Sequence, residues 1–349
     1  MKLSDYTLSL LDDIENRIDP ETEEDYRAQW QAFWDGNCTG SVFIPRRKKV
    51  SAPGVKPQGI HINDALHDYE MMLDAQLAGI SGALASPHAA LGMRANYGSA
   101  ILASLFGPEI YEMPREMNTL PTIVSLNDSD RVRAILEKGL PDLNTGFGKD
   151  VLHFGEICAE LFEKYPKIKK YVEVYHPDTQ GPLDIAELLW GSSIFYEMYD
   201  DPDFVHGILQ LVTDTYKAFL DAWYAIIPPY PSEICVHWGI MIKGKILLRL
   251  DSGVNLSGEF YEEFSKPYDK ALLDYYGGGA LHYCGHGDHF VPSLCEIDNL
   301  YGINLSQPEL NNMDVILQSV CASDKRIFGL PRAAQFAEKP YMKKGILHG

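Results

Sequence analysis

The stretch ILLRLDSGVNLSGEFYEEFSKPYDKALLDYYGGGALHYCG, residues 246–285, carries the pattern that decides the fold of this 349-residue chain. It opens on one apolar run, Ile246–Leu250, and closes on another, Gly279–Tyr283. Between them the spacing predicts a helix from Ser257, with Phe260, Phe264 and Tyr268 on one face. Glu259 and Glu262 suit the positive N-terminal end of its dipole. A strand, a helix and a strand in succession make a βαβ unit.

Outward from that unit the alternation recurs. Further strands are predicted at Val172–Tyr175, Ile234–Trp238, Leu300–Leu305, Arg326–Leu330 and Gly345–Leu347. One helix runs from about Asp128 to Gly139, and another has Asp201 as its cap and Pro202 in its first turn. No dinucleotide fingerprint or phosphate-cradling lysine loop is present. With about eight such units, an α/β fold closed as a (β/α)8 TIM-like barrel is the economical expectation.

Ahead of the barrel, residues 1–36 read as two helices broken at Asp19-Pro20. Leu8, Leu11, Ile14 and Ile18 mark the first; Tyr26, Trp30, Phe33 and Trp34 mark the second. A basic loop bearing Pro and Gly, Arg46 to Gly59, comes next and reads as solvated, with a lid over the site as the alternative. The predicted domains are an N-terminal helical extension and loop over 1–80 and the barrel over 81–349. The Trp-bearing helix is expected to pack on the core or to serve a homodimer.

Composition narrows the function. There are 30 Lys and Arg against 49 Asp and Glu, a formal net charge of −19. That excludes nucleic acid as a natural partner, which would demand a basic face. It is also a poor background for a polycarboxylate substrate. Apolar runs stop short of a membrane span, and Met1-Lys2-Leu3-Ser4-Asp5 lacks the basic-then-apolar order of a leader. A cytoplasmic protein is expected. The six cysteines are scattered, so free thiols or metal ligands are expected rather than disulfides.

In a parallel barrel the chemistry lies where strands end. Here those ends carry His176, Asp178 and Gln180, then His237, then Arg249, Asp251 and Asn255. The run Gly279–Tyr283 delivers His282, Cys284, His286, Asp288 and His289; the next delivers Asn304, Gln307 and Glu309; the chain ends on His348-Gly349. On an extended strand His282 and Cys284 share a face, and imidazole with thiolate is a good zinc pair. Gly285 allows a sharp turn beyond them.

The run Asp251 to Tyr268, followed by His282-Tyr283-Cys284-Gly285, resembles the uroporphyrinogen decarboxylase superfamily, with matching stretches from about Leu91 to Gly349. That superfamily holds the decarboxylase and zinc-dependent corrinoid methyltransferases. Where decarboxylases carry an arginine-rich strand end, this chain reads Met93-Arg94-Ala95-Asn96-Tyr97-Gly98 and keeps one arginine. The resemblance therefore leans to the methyltransferase branch. It implies zinc on His282, Cys284 and a third ligand near the last strand, where Gly345-Ile346-Leu347-His348-Gly349 offers His348. Cys295 and Cys321 are alternatives for that place, and His286 and His289 compete for the metal.

The reaction implied by the resemblance is methyl transfer between a corrinoid carried by a partner protein and a small-molecule acceptor activated by zinc. Asp251, His237 and His176 are the expected catalytic groups, the histidines as proton carriers. Arg94, Asp178, Gln180, Arg249, Asn255, His286 and His289 are expected to hold substrate. Two alternatives stand beside this. One is a decarboxylase of a carboxylated substrate, with Asp251 or Asp178 balancing a protonated intermediate and Arg94 and Arg249 holding the carboxylate. The other is a non-catalytic barrel that binds a small ligand.

Overall fold

The computed structural model describes residues 2–230 and 233–349, so Met1, where the leader reading begins, lies outside it. The strands that position the site are, in chain order, β1 (Val42–Phe43), β2 (Gly92–Met93), β3 (Glu173–Val174), β4 (Ile234–His237) and β5 (Ile240–Lys243). They continue as β6 (Ile246–Arg249), β7 (Gly279–Tyr283), β8 (Leu300–Leu305), β9 (Arg326–Ile327) and β10 (Leu347–His348). Six of them form one parallel sheet in the order β1-β10-β9-β8-β7-β6. The unit read from 246–285 is present, with Arg249 of β6 opposite His282 of β7. Its helix begins where expected, the Ser257 side chain accepting from the Phe260 N–H. It breaks at Ser265 and restarts as Lys266–Tyr276, because Pro267 has no N–H to bond backward.

The fold is α/β and TIM-like, but the closed ring is not formed by strand pairing. β2 and β3 make a separate parallel pair, and among the described residues no ladder joins it to the six. Isolated hydrogen bonds, not a ladder, cross the breaks, these two among them. Leu247 N–H donates to Nε2 of His176 just past β3, at 3.0 Å. Arg47 N–H just past β1 donates to the Pro87 carbonyl, at 2.7 Å. The boundary expected at 80/81 is crossed by the sheet, since β1 belongs to it.

Ile234–Trp238, expected as a barrel strand, is one arm of an antiparallel hairpin, β4 with β5. Its two-residue turn, Trp238-Gly239, has φ of +52° and +75°. That left-handed geometry matches the twist of paired strands, and glycine takes the second position at no steric cost.

Side chains alternate across the sheet and sort into two cores. Leu248, Leu281 and Ile303 face the helix layer, where Leu272, Leu273, Ile316 and Leu317 meet them. Leu247, Ala280 and Phe328 belong to the other core, which the hairpin and the second N-terminal helix fill. The N-terminal helices are α1 (Asp5–Arg17) and α2 (Pro20–Trp34), broken where the sequence predicts, with Asp19 capping α2 by accepting from Thr22 N–H. Trp30, Phe33 and Trp34 of α2 pack with Val236, Met241 and Leu247, and Trp34 Nε1 donates to the Met241 carbonyl. Gly302 is required here, because a Cβ would stand 2.7 Å from the Trp34 ring. The apolar face of α2 is thus packed on the core of its own chain, the first of the two places expected for it.

Candidate metal centre

β6 and β7 bring three donors together at their ends: His282 is the last residue of β7 paired with β6, and Asp251 and Cys284 lie just beyond the two strands. Asp251, His282 and Cys284 offer ligand atoms that all lie within 4.8 Å of one another. Nε2 of His282 is 3.3 Å from the Cys284 sulfur and 3.8 Å from Asp251 Oδ1. The same Asp251 oxygen accepts the Cys284 N–H at 2.8 Å, which locks the carboxylate to the strand end.

A second layer sets the imidazole. Asn304 on β8 donates through Nδ2 to the Phe328 carbonyl at 2.6 Å, so its Oδ1 is the acceptor that faces His282. His282 Nδ1–H donates to that oxygen at 2.5 Å, leaving the Nε2 lone pair toward Cys284 and Asp251. This is the arrangement metal-bound histidines use to fix tautomer and ring angle. Burial lowers the His282 pKa, and burial with the nearby Asp251 carboxylate raises that of the Cys284 thiol. A divalent cation reverses the second effect by deprotonating a coordinating thiol. Nitrogen, sulfur and oxygen donors with one open side fit zinc.

His348 does not join this cluster. It sits on β10, three strands from β7, and its Nδ1 accepts the Gly329 N–H at 2.9 Å. Its ring lies 4.5 Å from Trp30 and 5.8 Å from Phe43, and burial pushes its pKa down to about 4. The aromatic face of α2 holds it, and Asp251 takes the third place. Cys295 is buried, its thiol pushed up to about 11, and the Cys321 sulfur lies against Met342; neither joins the triad.

The two expected proton carriers are held otherwise. His176 Nδ1–H donates to the Pro177 carbonyl and Nε2 accepts from Leu247, so both nitrogens are spent. Burial, reinforced by Arg249, pushes its pKa down to about 3. His237 is fully buried in the hairpin, between the rings of Tyr175 and His176, with neither nitrogen partnered. Burial holds it neutral. A cavity of about 870 Å³ borders both histidines, between Cys158, Phe162, Val174 and Tyr224, away from the triad.

Arg94, Asp178, Gln180 and Arg249 do meet, gathered around the Asp178 carboxylate. Asp178 stands 3.2 Å from Arg94 Nη1 and 2.7 Å from Arg249 Nε, and accepts from Gln180 Nε2 at 2.9 Å. Burial alone would raise the Asp178 pKa; the two guanidinium charges overcome it and lower it. The Arg249 guanidinium also lies 4.7 Å over the Trp238 ring, and that ring meets His282 edge to face. Both arginines expected to grip a carboxylate thus share the one Asp178 carboxylate, which leaves a net positive charge, with Nε and Nη2 of Arg249 making no hydrogen bond.

Beside the triad a polar cleft of about 380 Å³ is lined by Ser99, Ser125, Gln180, Asp184, Asp251 and Asn255, among others, and has no Lys or Arg in its wall. Sequence reading missed Asp184. It is buried, accepts the backbone N–H groups of Asp251 and Ser252 at 3.0 and 2.8 Å, and so positions the triad's carboxylate. Its pKa is pushed up to about 7, first by burial and then by Asp251. Its only signal was its place in the first turn of a helix that starts at Pro182. His286 and His289 lie outside the triad, in a separate group with Asp288.

No protein-family model matches the sequence, and no curated protein matches it. Among solved structures the chain is similar to a methyltransferase from Methanosarcina mazei, with a TM-score of 0.57 over 86% of this chain and 81% of that one. The neighbour is a methyltransferase. At 17% identity the likeness is one of fold.

Proposed function

We propose that the protein is a zinc-dependent methyltransferase of the uroporphyrinogen decarboxylase superfamily, built on a TIM-like fold and acting in the cytoplasm. Its methyl group passes between a corrinoid, carried by a partner protein, and a small acceptor. The observation that carries this reading is the triad of Asp251, His282 and Cys284 with Asn304 behind it. Zinc bound there would supply Lewis acidity, which lowers the pKa of an acceptor thiol so that its thiolate forms near neutral pH.

The chain's own residues do the rest. Asn304 fixes His282, Asp184 and the Cys284 N–H fix Asp251, and Gln180 and Asn255 in the cleft orient the acceptor. The neighbouring methyltransferase fold and the superfamily motifs favour the same reaction class. Decarboxylation is less well served, because Arg94 and Arg249 are tied to Asp178 and no cation lines the cleft.

Elemental analysis of the purified chain, with turnover of methylcobalamin and a thiol acceptor, tests the proposal. We expect one zinc bound by the triad, lost in Cys284→Ala and Asp251→Ala but kept in His348→Ala. A triad empty of metal after purification without chelator, or loss of that zinc in His348→Ala alone, overturns it.

A further inference from the structure

We propose that His286, Asp288 and His289 form a second divalent-metal site, separate from the triad and free of sulfur. One donor atom from each lies within 4.8 Å of the others. Two of the three are oriented by the surrounding backbone. Asp288 Oδ2 accepts the Asn312 N–H at 2.6 Å, and Oδ1 faces His286 Nε2–H at 2.6 Å, a proton that a bound ion would replace. His289 Nε2–H donates to the Gly253 carbonyl at 3.2 Å, which leaves Nδ1 as its lone-pair atom. That Nδ1 is shielded from water and has no hydrogen-bond partner.

A buried acceptor without a donor is costly, and an ion is one group that would satisfy it. The backbone around the cluster is itself pinned. Gly285 N–H donates to Gln307 Oε1 and Gly287 N–H to Asn311 Oδ1, so the loop does not depend on the ion for its shape. Two imidazoles and a carboxylate suit zinc, cobalt or nickel rather than calcium or magnesium. Bound there, the ion ties the loop after β7 to the Ser252–Asn255 turn through Gly253 and to the start of helix Met313–Ala322 through Asn312.

Cobalt(II) titration separates this site from the triad by its spectrum. In a chain carrying Cys284→Ala and His282→Ala, one equivalent is expected, with visible ligand-field absorption and no sulfur-to-cobalt charge-transfer band. Adding His286→Ala or Asp288→Asn is expected to weaken that binding at least 100-fold. His286 is half exposed, so its replacement leaves the fold intact, which circular dichroism checks. Absence of binding in the first chain, or unchanged affinity after His286→Ala and Asp288→Asn, overturns the proposal. In the otherwise natural chain, His286→Ala should remove one of two equivalents and keep the charge-transfer band of Cys284. If the triad reading alone fails, that chain binds one equivalent, His286→Ala removes it, and no charge-transfer band is seen.

Discussion

Asn304 uses both ends of its amide, one on the Phe328 carbonyl and one on His282, and so sets the imidazole of the donor cluster from behind. Replacing it by leucine frees the imidazole to rotate and to take the wrong tautomer. Zinc affinity should fall by roughly 10–100-fold, the usual cost of losing such a partner. Competition with a chromophoric chelator measures it; unchanged affinity would mean that the ring is held by packing alone. His282 and Cys284 were legible because a period-2 strand leaves them no choice of face. His348 was misjudged because its surroundings come from Trp30 and Phe43, at the far end of the chain. His176 reads as a strand-end base, yet its backbone partners make it a rivet, and no local pattern reveals them.

α2 and the β4–β5 hairpin fill the face of the sheet that the outer helices leave bare. Trp30 has no exposed surface and contacts Phe33, Phe43 and His348. Its replacement by alanine should cost about 3–5 kcal/mol, the range for a large buried aromatic. Urea unfolding measures it, and a cost below about 1 kcal/mol would show that the hairpin alone fills that face. Helix starts were readable: Asp201 accepts from a first-turn N–H as the cap it was expected to be, and Asp128 and Asp19, read only as a start and a break, cap their helices in the same way. The hairpin was not, because Trp238 at positive φ is a rare turn residue and gives no breaker signal. β1 and β2 span two residues each, too short for any periodicity.

At the scale of the molecule, burial of acid sets the pH response. Asp269 is fully buried and its pKa is pushed up to about 8 from 3.8; Glu173, with an unpartnered oxygen, is also pushed up to about 8. A carboxyl whose folded pKa exceeds its unfolded one binds more protons when folded. Its contribution to stability is whole below about pH 4 and is lost as pH rises towards 8. Asp269→Asn should therefore be relatively more stable at pH 8 than at pH 5 when compared with the unaltered chain. Urea midpoints at the two values test it, and a difference independent of pH would mean that Asp269 titrates normally. The alternation of strand and helix made the parallel sheet foreseeable. The breaks beside β2 and β3 were not, since isolated bonds from His176 and Arg47 leave no mark in composition or spacing. No helix among the described residues is long and apolar enough to cross a membrane.

The pairing of β1 with β10 joins Val42 to Leu347, from opposite ends of the chain. Asp251 and Cys284 are only 33 residues apart, on adjacent strands. Contacts close in sequence form sooner than distant ones, and a chain emerging during synthesis folds from its beginning. The three donors are thus made, and can gather, before the last strand of the sheet has been synthesised. The donor cluster is a product of the nascent chain, set out ahead of the closing of its core.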